Sequence, residues 1–243
     1  MILDYIYHSG FAIEAGDVTV IIDYYKDSSD TQPGHGLVHD KLLKKAGRIY
    51  VLSSHFHPDH FNREILSWKD EHADIKYIFS KDILRHKRAT KEEAVYINKG
   101  DIYQDECIRI EAFGSTDAGI SFLIDMQGVR IFHAGDLNNW HWDEESTTAE
   151  VKKAEEDFLA EVACLQQTAP QVDLALFPVD RRLGKNYMKG PSQFVDRIKT
   201  RIFAPMHFSE DYEGGNAFRA YAESKGCRFL SITHRGESFN ITK

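Results

Sequence analysis

The sequence predicts an α/β protein built on two mixed sheets with helices on their outer faces. Three observations lead there. Short apolar strand patterns alternate with helical ones at both ends of the chain. The middle is a run of consecutive strands. A long charged segment with helical apolar spacing follows that run.

Taken in order, residues 3–8 and 11–15 alternate loosely, Ala15-Gly16-Asp17 turns, and 18–23 follow as an apolar strand. Residues 31–36 (Thr-Gln-Pro-Gly-His-Gly) form a loop and 41–46 a short helix. Residues 48–53 are a strand, 62–71 are helical in pattern, 75–79 are a strand and 81–87 a helix. After the turn Lys99-Gly100-Asp101, strands are expected at 107–113, 120–126 and 129–133, the last two joined by the tight turn Gln127-Gly128. In the Glu-, Lys- and Ala-rich stretch 143–167, Val151, Ala154, Phe158, Val162 and Leu165 recur at helical spacing, and Thr147 with Glu150 fits a capping box. Then come a strand at 172–179, a helix at 191–200 opened by Pro191, and a strand at 202–206. A helix at 216–225 ended by Gly226 and late strands at 228–233 and 238–241 complete the chain.

The 243 residues are enough for one large α/β domain or two small ones and are read as a single domain, 1–243. No apolar run approaches the roughly 20 residues of a membrane helix, and Met1-Ile2-Leu3-Asp4 lacks the features of a signal peptide. Cys107, Cys164 and Cys227 are few, odd in number and far apart, which points to free thiols and a reducing cytoplasm. The net charge of −8 argues against nucleic acid and anionic membrane as partners and leaves a small-molecule substrate. The sequence leaves a homo-oligomer open.

Chemistry concentrates in Ser54-His55-Phe56-His57-Pro58-Asp59-His60, directly after an apolar strand. In extended geometry His55 and His57 point the same way and make half a site for zinc or a similar metal. Pro58 fits the first turn of a helix, and Asp59 and His60 then offer an oxygen and a nitrogen to a second ion. Three histidines and an aspartate in six residues exceed what a polar loop needs.

This His-x-His-x-Asp-His pattern resembles the signature of the metallo-β-lactamase fold superfamily. Phe132-His133-Ala134-Gly135-Asp136 resembles its strand-end Gly-Asp, whose aspartate bridges two metals, and Ala204-Pro205-Met206-His207 its later strand ending in a histidine ligand. The opening, Tyr7-His8-Ser9-Gly10-Phe11 through Ile21-Ile22-Asp23, is similar to the subgroup of L-ascorbate-6-phosphate lactonase and related hydrolases. The resemblance implies a four-layer αβ/βα sandwich with one or two Zn²⁺ ions. It implies His55 and His57 on the first ion, and Asp59, His60, Asp136 and His207 on the second. Asp59 and His133 become the catalytic candidates, Asp59 orienting the nucleophile and His133 orienting a ligand.

The chain departs from that pattern in one loop. Phe113-Gly114-Ser115-Thr116-Asp117-Ala118-Gly119 has no histidine where the family supplies a third one to the first ion. Asp117 is the replacement candidate, with a harder oxygen that would admit Mn²⁺ or Fe²⁺. The alternative is an Asp117 that only shapes a turn, with the first site filled by water, by His141, or not at all. His8, Trp140 and His141 are candidate pocket walls. Arg181 and Lys185, in a loop of four cations, are candidate contacts to an anionic substrate.

The expected function is a metal-dependent hydrolase directing hydroxide generated at the metal onto a small anionic ester or phosphoester. A lactonase or amide hydrolase on a small organic acid, and a metal-binding protein without turnover, are the alternatives.

Overall fold

The computed structural model describes residues 1–241, and the chain divides into two compact units. The first is Met1–Asn98 with the segment from Thr233 onward, and the second is Lys99–Ile232.

The first unit carries a seven-stranded mixed sheet. Its strands are β1 (Ile2–Tyr7), β2 (Gly10–Ala15), β3 (Val18–Ile22), β4 (Arg48–Ser53), β5 (Ile75–Ser80), β6 (Val95–Ile97) and β14 (Ser238–Asn240), in the order β14-β1-β2-β3-β4-β5-β6. Neighbours from β14 to β3 pair antiparallel and those from β3 to β6 parallel. Ile49, Tyr50, Val51 and Leu52 of β4 are all buried, the unbroken apolar run expected of a central parallel strand. Val51 shares one buried apolar cluster with Trp68, Phe61, Phe79, Ile65 and Leu42.

Helices in this unit are shifted from their sequence patterns or shorter than them. In place of a helix at 41–46, a π-helical segment spans Leu37–Leu42. The upstream loop sets its start. The Asp27 carboxylate accepts the N–H groups of Val38 (3.0 Å) and His39 (2.9 Å), and Ser28 Oγ that of Leu37 (2.8 Å). The pattern at 62–71 is a 3-10 helix, Arg63–Asp70, capped by the Asn62 side chain, and that at 81–87 is α1 (Lys81–Arg85). The helix expected to open at Pro58 is one isolated turn, in which the N–H groups of His60 and Phe61 both reach the His57 carbonyl (3.0 and 2.9 Å).

The second unit repeats the plan with β7 (Ile102–Gln104), β8 (Arg109–Phe113), β9 (Ser121–Met126), β10 (Val129–His133), β11 (Gln171–Pro178), β12 (Lys199–Met206) and β13 (Arg228–Phe229). The order is β13-β12-β11-β10-β9-β8-β7, parallel from β13 to β10 and antiparallel from β10 to β7. Helix α2 (Thr148–Thr168) starts at the expected capping box and buries Phe158, Val162 and Leu165. Helix α3 (Lys189–Val195) seats Phe194 against Phe132 and Phe177, with ring centroids 5.4 and 4.6 Å apart. It does not run to 200 as expected, because Lys199 and Thr200 already pair with Gln171 and Val172 in β12. The helix expected at 216–225 is broken into α4 (Tyr212–Asn216) and α5 (Arg219–Ser224), and the strand expected at 228–233 keeps only Arg228–Phe229. The short strands β6 and β7 had no legible pattern. All three cysteines are free.

This topology decides where chemistry can sit. In the first unit β1, β3 and β4 run in one direction, and their carboxyl ends lead into His8, Asp23 and the histidine segment. In the second, the parallel strands β10, β11 and β12 lead into Asp136, Asp180 and His207. Loops at the carboxyl ends of adjacent parallel strands are the usual place for ligands in α/β sheets. The α/β class with two mixed sheets is the one the sequence predicts.

Candidate metal centre

In the first unit the histidine segment does not stay extended. The rings of His55 and His57 are 4.7 Å apart and nearly perpendicular, yet each still offers a ligand atom within 4.8 Å of the other's. His8, Asp59 and His60 offer a second set, also within 4.8 Å of one another. Within it, Asp59 Oδ2 lies 3.3 Å from His8 Nε2 and 3.8 Å from His60 Nε2. His55 and His60 are fully buried.

Asp23 organises this segment. It is fully buried with φ of +48°, a conformation an aspartate tolerates better than most residues. Its carboxylate accepts the N–H and the O–H of Ser54 (both 2.7 Å) and the Nδ1–H of His60 (2.7 Å). Ser54 has one hydroxyl proton, and Asp23 takes it. The Ser54 oxygen must therefore accept from His55 Nδ1, 3.0 Å away. Both imidazoles carry their proton on Nδ1, which leaves the Nε2 lone pair as the metal-binding atom.

The second unit uses the same device. His207, at φ +64° just past β12, gives its Nδ1–H to Asp180 at 2.9 Å, and Arg182 grips the same carboxylate at 2.9 and 2.5 Å. Burial pushes the Asp180 pKa up, but the hydrogen bonds from His207 and Arg182 outweigh it and hold the group well below the usual carboxylate range. His207 Nε2 then faces Asp136 Oδ1 at 3.3 Å. With Nδ1–H committed, a neutral His207 turns a lone pair toward a carboxylate, and two acceptors that close call for a cation or proton between them. His8, Asp23 and His207 all hold positive φ at strand ends, where strained backbone often accompanies function.

Asp136 is reached through Gly135, whose φ of +54° suits glycine. The Gly135 N–H donates to His133 Nδ1 at 3.1 Å, so His133 shapes the turn that presents Asp136. Trp140 Nε1 donates to the Asp136 carbonyl at 2.7 Å, and its ring lies 5.3 Å from that of His207. Trp140 is thus a brace of this set. Asp117 is exposed and offers a ligand atom within 4.8 Å of one from Asp136. Thr116 ties the two loops, donating to the Asn138 carbonyl (2.6 Å) and accepting its N–H (3.0 Å).

Three pocket candidates have partners outside the two ligand sets. Both ring nitrogens of the buried His141 have backbone partners, the Asn186 carbonyl at 3.2 Å and the Asp143 N–H at 3.2 Å, which takes it out of contention as the missing ligand. Arg181 pairs with Asp211 (3.3 Å) and Glu213 (3.8 Å). The Lys185 side chain is 84% exposed, with Glu144 at 4.0 Å. Sequence reasoning missed Asp23, Ser54 and Asp180. The one available signal was position, since Asp23 and Asp180 each follow an apolar strand.

A family profile described as "Beta-lactamase superfamily domain" matches residues 2–152. The chain belongs to the metallo-β-lactamase superfamily. Among curated relatives, a UPF0173 metal-dependent hydrolase of Symbiobacterium thermophilum is 22% identical over 99% of this chain and 100% of its own. The structure of Igni18, a metallo hydrolase of Ignicoccus hospitalis, superposes with a TM-score of 0.66 at 18% identity, covering 98% of both chains. CmlA, a diiron β-hydroxylase of Streptomyces venezuelae, gives 0.66 at 14% identity over 98% of this chain and 53% of that one. The fold is the one these structures share, and the chain stands with the metal-dependent hydrolases of the superfamily.

Proposed function

We propose that the protein hydrolyses a small anionic ester or phosphoester, with His55, His57, Asp59, His60, Asp117, Asp136 and His207 as its metal ligands. The observation that carries this reading is the commitment of Nδ1 on His55, His60 and His207, which turns each Nε2 outward as a lone pair. Imidazole and carboxylate donors without a thiolate suit zinc, and equally manganese or iron. The diiron centre named for the CmlA structure keeps iron among the candidates. One or two ions are compatible with the ligand count.

When bound, the metal lowers the pKa of water toward neutrality and polarises the bond to be cleaved. The chain's residues supply the rest. Asp59, half-buried beside His8, orients the attacking water and receives its proton. Asp23 and Asp180 fix the imidazoles, and His133 and Trp140 fix Asp136. The family match crosses the boundary between the two units near residue 98, which supports one hydrolase domain over 1–243. Three free thiols favour the cytoplasm. None of the described helices is long and apolar enough to cross a membrane. Lactone hydrolysis by the same residues is the second reading, favoured by the opening hairpin Tyr7–Phe11.

The test is Asp136→Asn, assayed on a panel of carboxylic and phosphate esters. The amide keeps the shape of this nearly buried side chain but lacks the charge that holds cations together. The variant should fold, lose metal, and fall on the order of a hundredfold or more in kcat/KM on whichever ester the protein cleaves. Full metal content at full activity would return Asp136 to the role of a turn residue.

A further inference from the structure

We infer that His39, as an imidazolium between Asp27 and Glu64, is a positioning residue for the metal centre, an inference that rests on the metal-ligand reading above. Its Nδ1 lies 2.7 Å from Asp27 Oδ2 and its Nε2 3.2 Å from Glu64 Oε1, and only 15% of the side chain is exposed. A carboxylate only accepts, so both ring nitrogens carry a proton and the ring is a cation. Asp27 follows Asp23 by four residues, and Glu64 follows His60 by four. The ion bridge therefore spans the same two chain segments that the Asp23–His60 hydrogen bond joins at 2.7 Å.

The groups that face this ring come from two other elements. The segment after β3 supplies Asp27 and Tyr24, and the 3-10 helix supplies Glu64 and Trp68. Asp27 is buried and also accepts the N–H groups of Ser28 (2.6 Å), Val38 (3.0 Å) and His39 (2.9 Å). Glu64 also accepts the Tyr24 hydroxyl (3.0 Å) and the Asn62 amide (3.1 Å). The Tyr24 and Trp68 rings stand edge-on to His39, with centroids 6.3 and 5.9 Å away. The hydrogen bond from Asp27, followed by that from Glu64, lifts the His39 pKa to about 10 against the opposing effect of burial. The bond from His39 in turn holds Glu64 below its ordinary value. The bridge is charged throughout the neutral pH range.

Removing the cation changes the sign of the force between the two segments. Asp27 and Glu64 then face each other across the vacated slot as like charges, and attraction becomes repulsion. Only neutral ties remain nearby, the Asn62 N–H on the Tyr24 carbonyl (3.1 Å) and the Asn62 amide on the Tyr25 carbonyl (2.8 Å). As the segments part, the Asp23 carboxylate draws away from His60 Nδ1. His60 loses the partner that fixes its tautomer, and its Nε2 is no longer held ready for a metal. His39 touches neither metal nor substrate in this account and acts through Asp23 and His60.

The test compares the parent protein with His39→Gln and His39→Lys. Zinc is titrated into metal-stripped protein, the His60 Nδ1–H is followed by NMR in the metal-free state, and urea unfolding is measured against pH. His39→Gln should weaken zinc binding about tenfold, the lower end of what losing a supporting partner costs, and His39→Lys should restore most of the affinity. The His60 Nδ1 proton should exchange faster in His39→Gln. Because its pKa is raised, the contribution of His39 to stability is complete below about pH 6.5 and is lost as pH rises through about 10. Asp27 and Glu64, both held low, lose theirs as pH falls below the ordinary carboxylate range. The stability gap between parent and His39→Gln should therefore be widest near pH 6 and narrow toward pH 10. Should His39→Gln fail to fold, Glu64→Gln at the more exposed end of the bridge takes its place with the same readouts. Parent-like zinc affinity and an unchanged His60 proton would overturn the inference, as would a pH-independent gap or equal losses in the Gln and Lys variants. A parent that binds no zinc, with a His60 proton that still exchanges faster in His39→Gln, would support the clamp and sink the metal reading.

Discussion

Replacing His57 with alanine is expected to remove most of the bound metal and to lower kcat/KM on the order of a thousandfold, while the protein stays folded. The size follows from the several kcal/mol of charge stabilisation that a metal supplies, at 1.36 kcal/mol for each factor of ten. Survival of the fold follows from position. His55 and His60 are fully buried and organised by the Ser54–Asp23 network, so truncating either damages the core as well. His57 is only half-buried, so its loss opens no cavity. The variant should also melt at a lower temperature than the metal-loaded protein, because an ion bound to the folded state alone stabilises it. Elemental analysis beside a circular dichroism melt checks all three points. Wild-type metal and activity in this variant would remove His57 from the ligand set.

Asp23→Ala should cost both stability and metal. Its carboxylate satisfies three buried donors, the Ser54 amide, the Ser54 hydroxyl and His60 Nδ1, each at 2.7 Å. Removing a charged acceptor and stranding its donors destabilises by about 3–5 kcal/mol. Freed from Asp23, His60 loses its fixed tautomer, and His55 loses its hold through Ser54. Loss of such supporting partners weakens metal binding about 10- to 100-fold. Denaturant unfolding gives the first number and metal titration the second. A variant as stable as the parent, with unchanged affinity, would show that the imidazoles are oriented by something else.

The contrast between these two residues explains how far the sequence could be read. His57 lies in a contiguous motif, so its role is visible in six residues. Asp23 meets His60 across 37 positions and Asp180 meets His207 across 27, contacts created only when parallel strands align their carboxyl ends. Elements whose boundaries are set locally, such as β10 and the capped start of α2, matched their patterns. Those set by distant partners did not. The π-helical segment starts where Asp27 caps it, and α3 stops because β12 claims Lys199 and Thr200. The same limit governs the cations. Sequence shows four together in the 181–189 loop but not the acids that meet them, such as Asp211 beside Arg181.

Metal content measured with activity before and after chelation tests the central claim most directly. The purified protein should carry at least one zinc, manganese or iron ion per chain. A chelator should abolish ester hydrolysis, and adding back the native metal should restore it. Undiminished hydrolysis by protein shown to be metal-free would contradict the account.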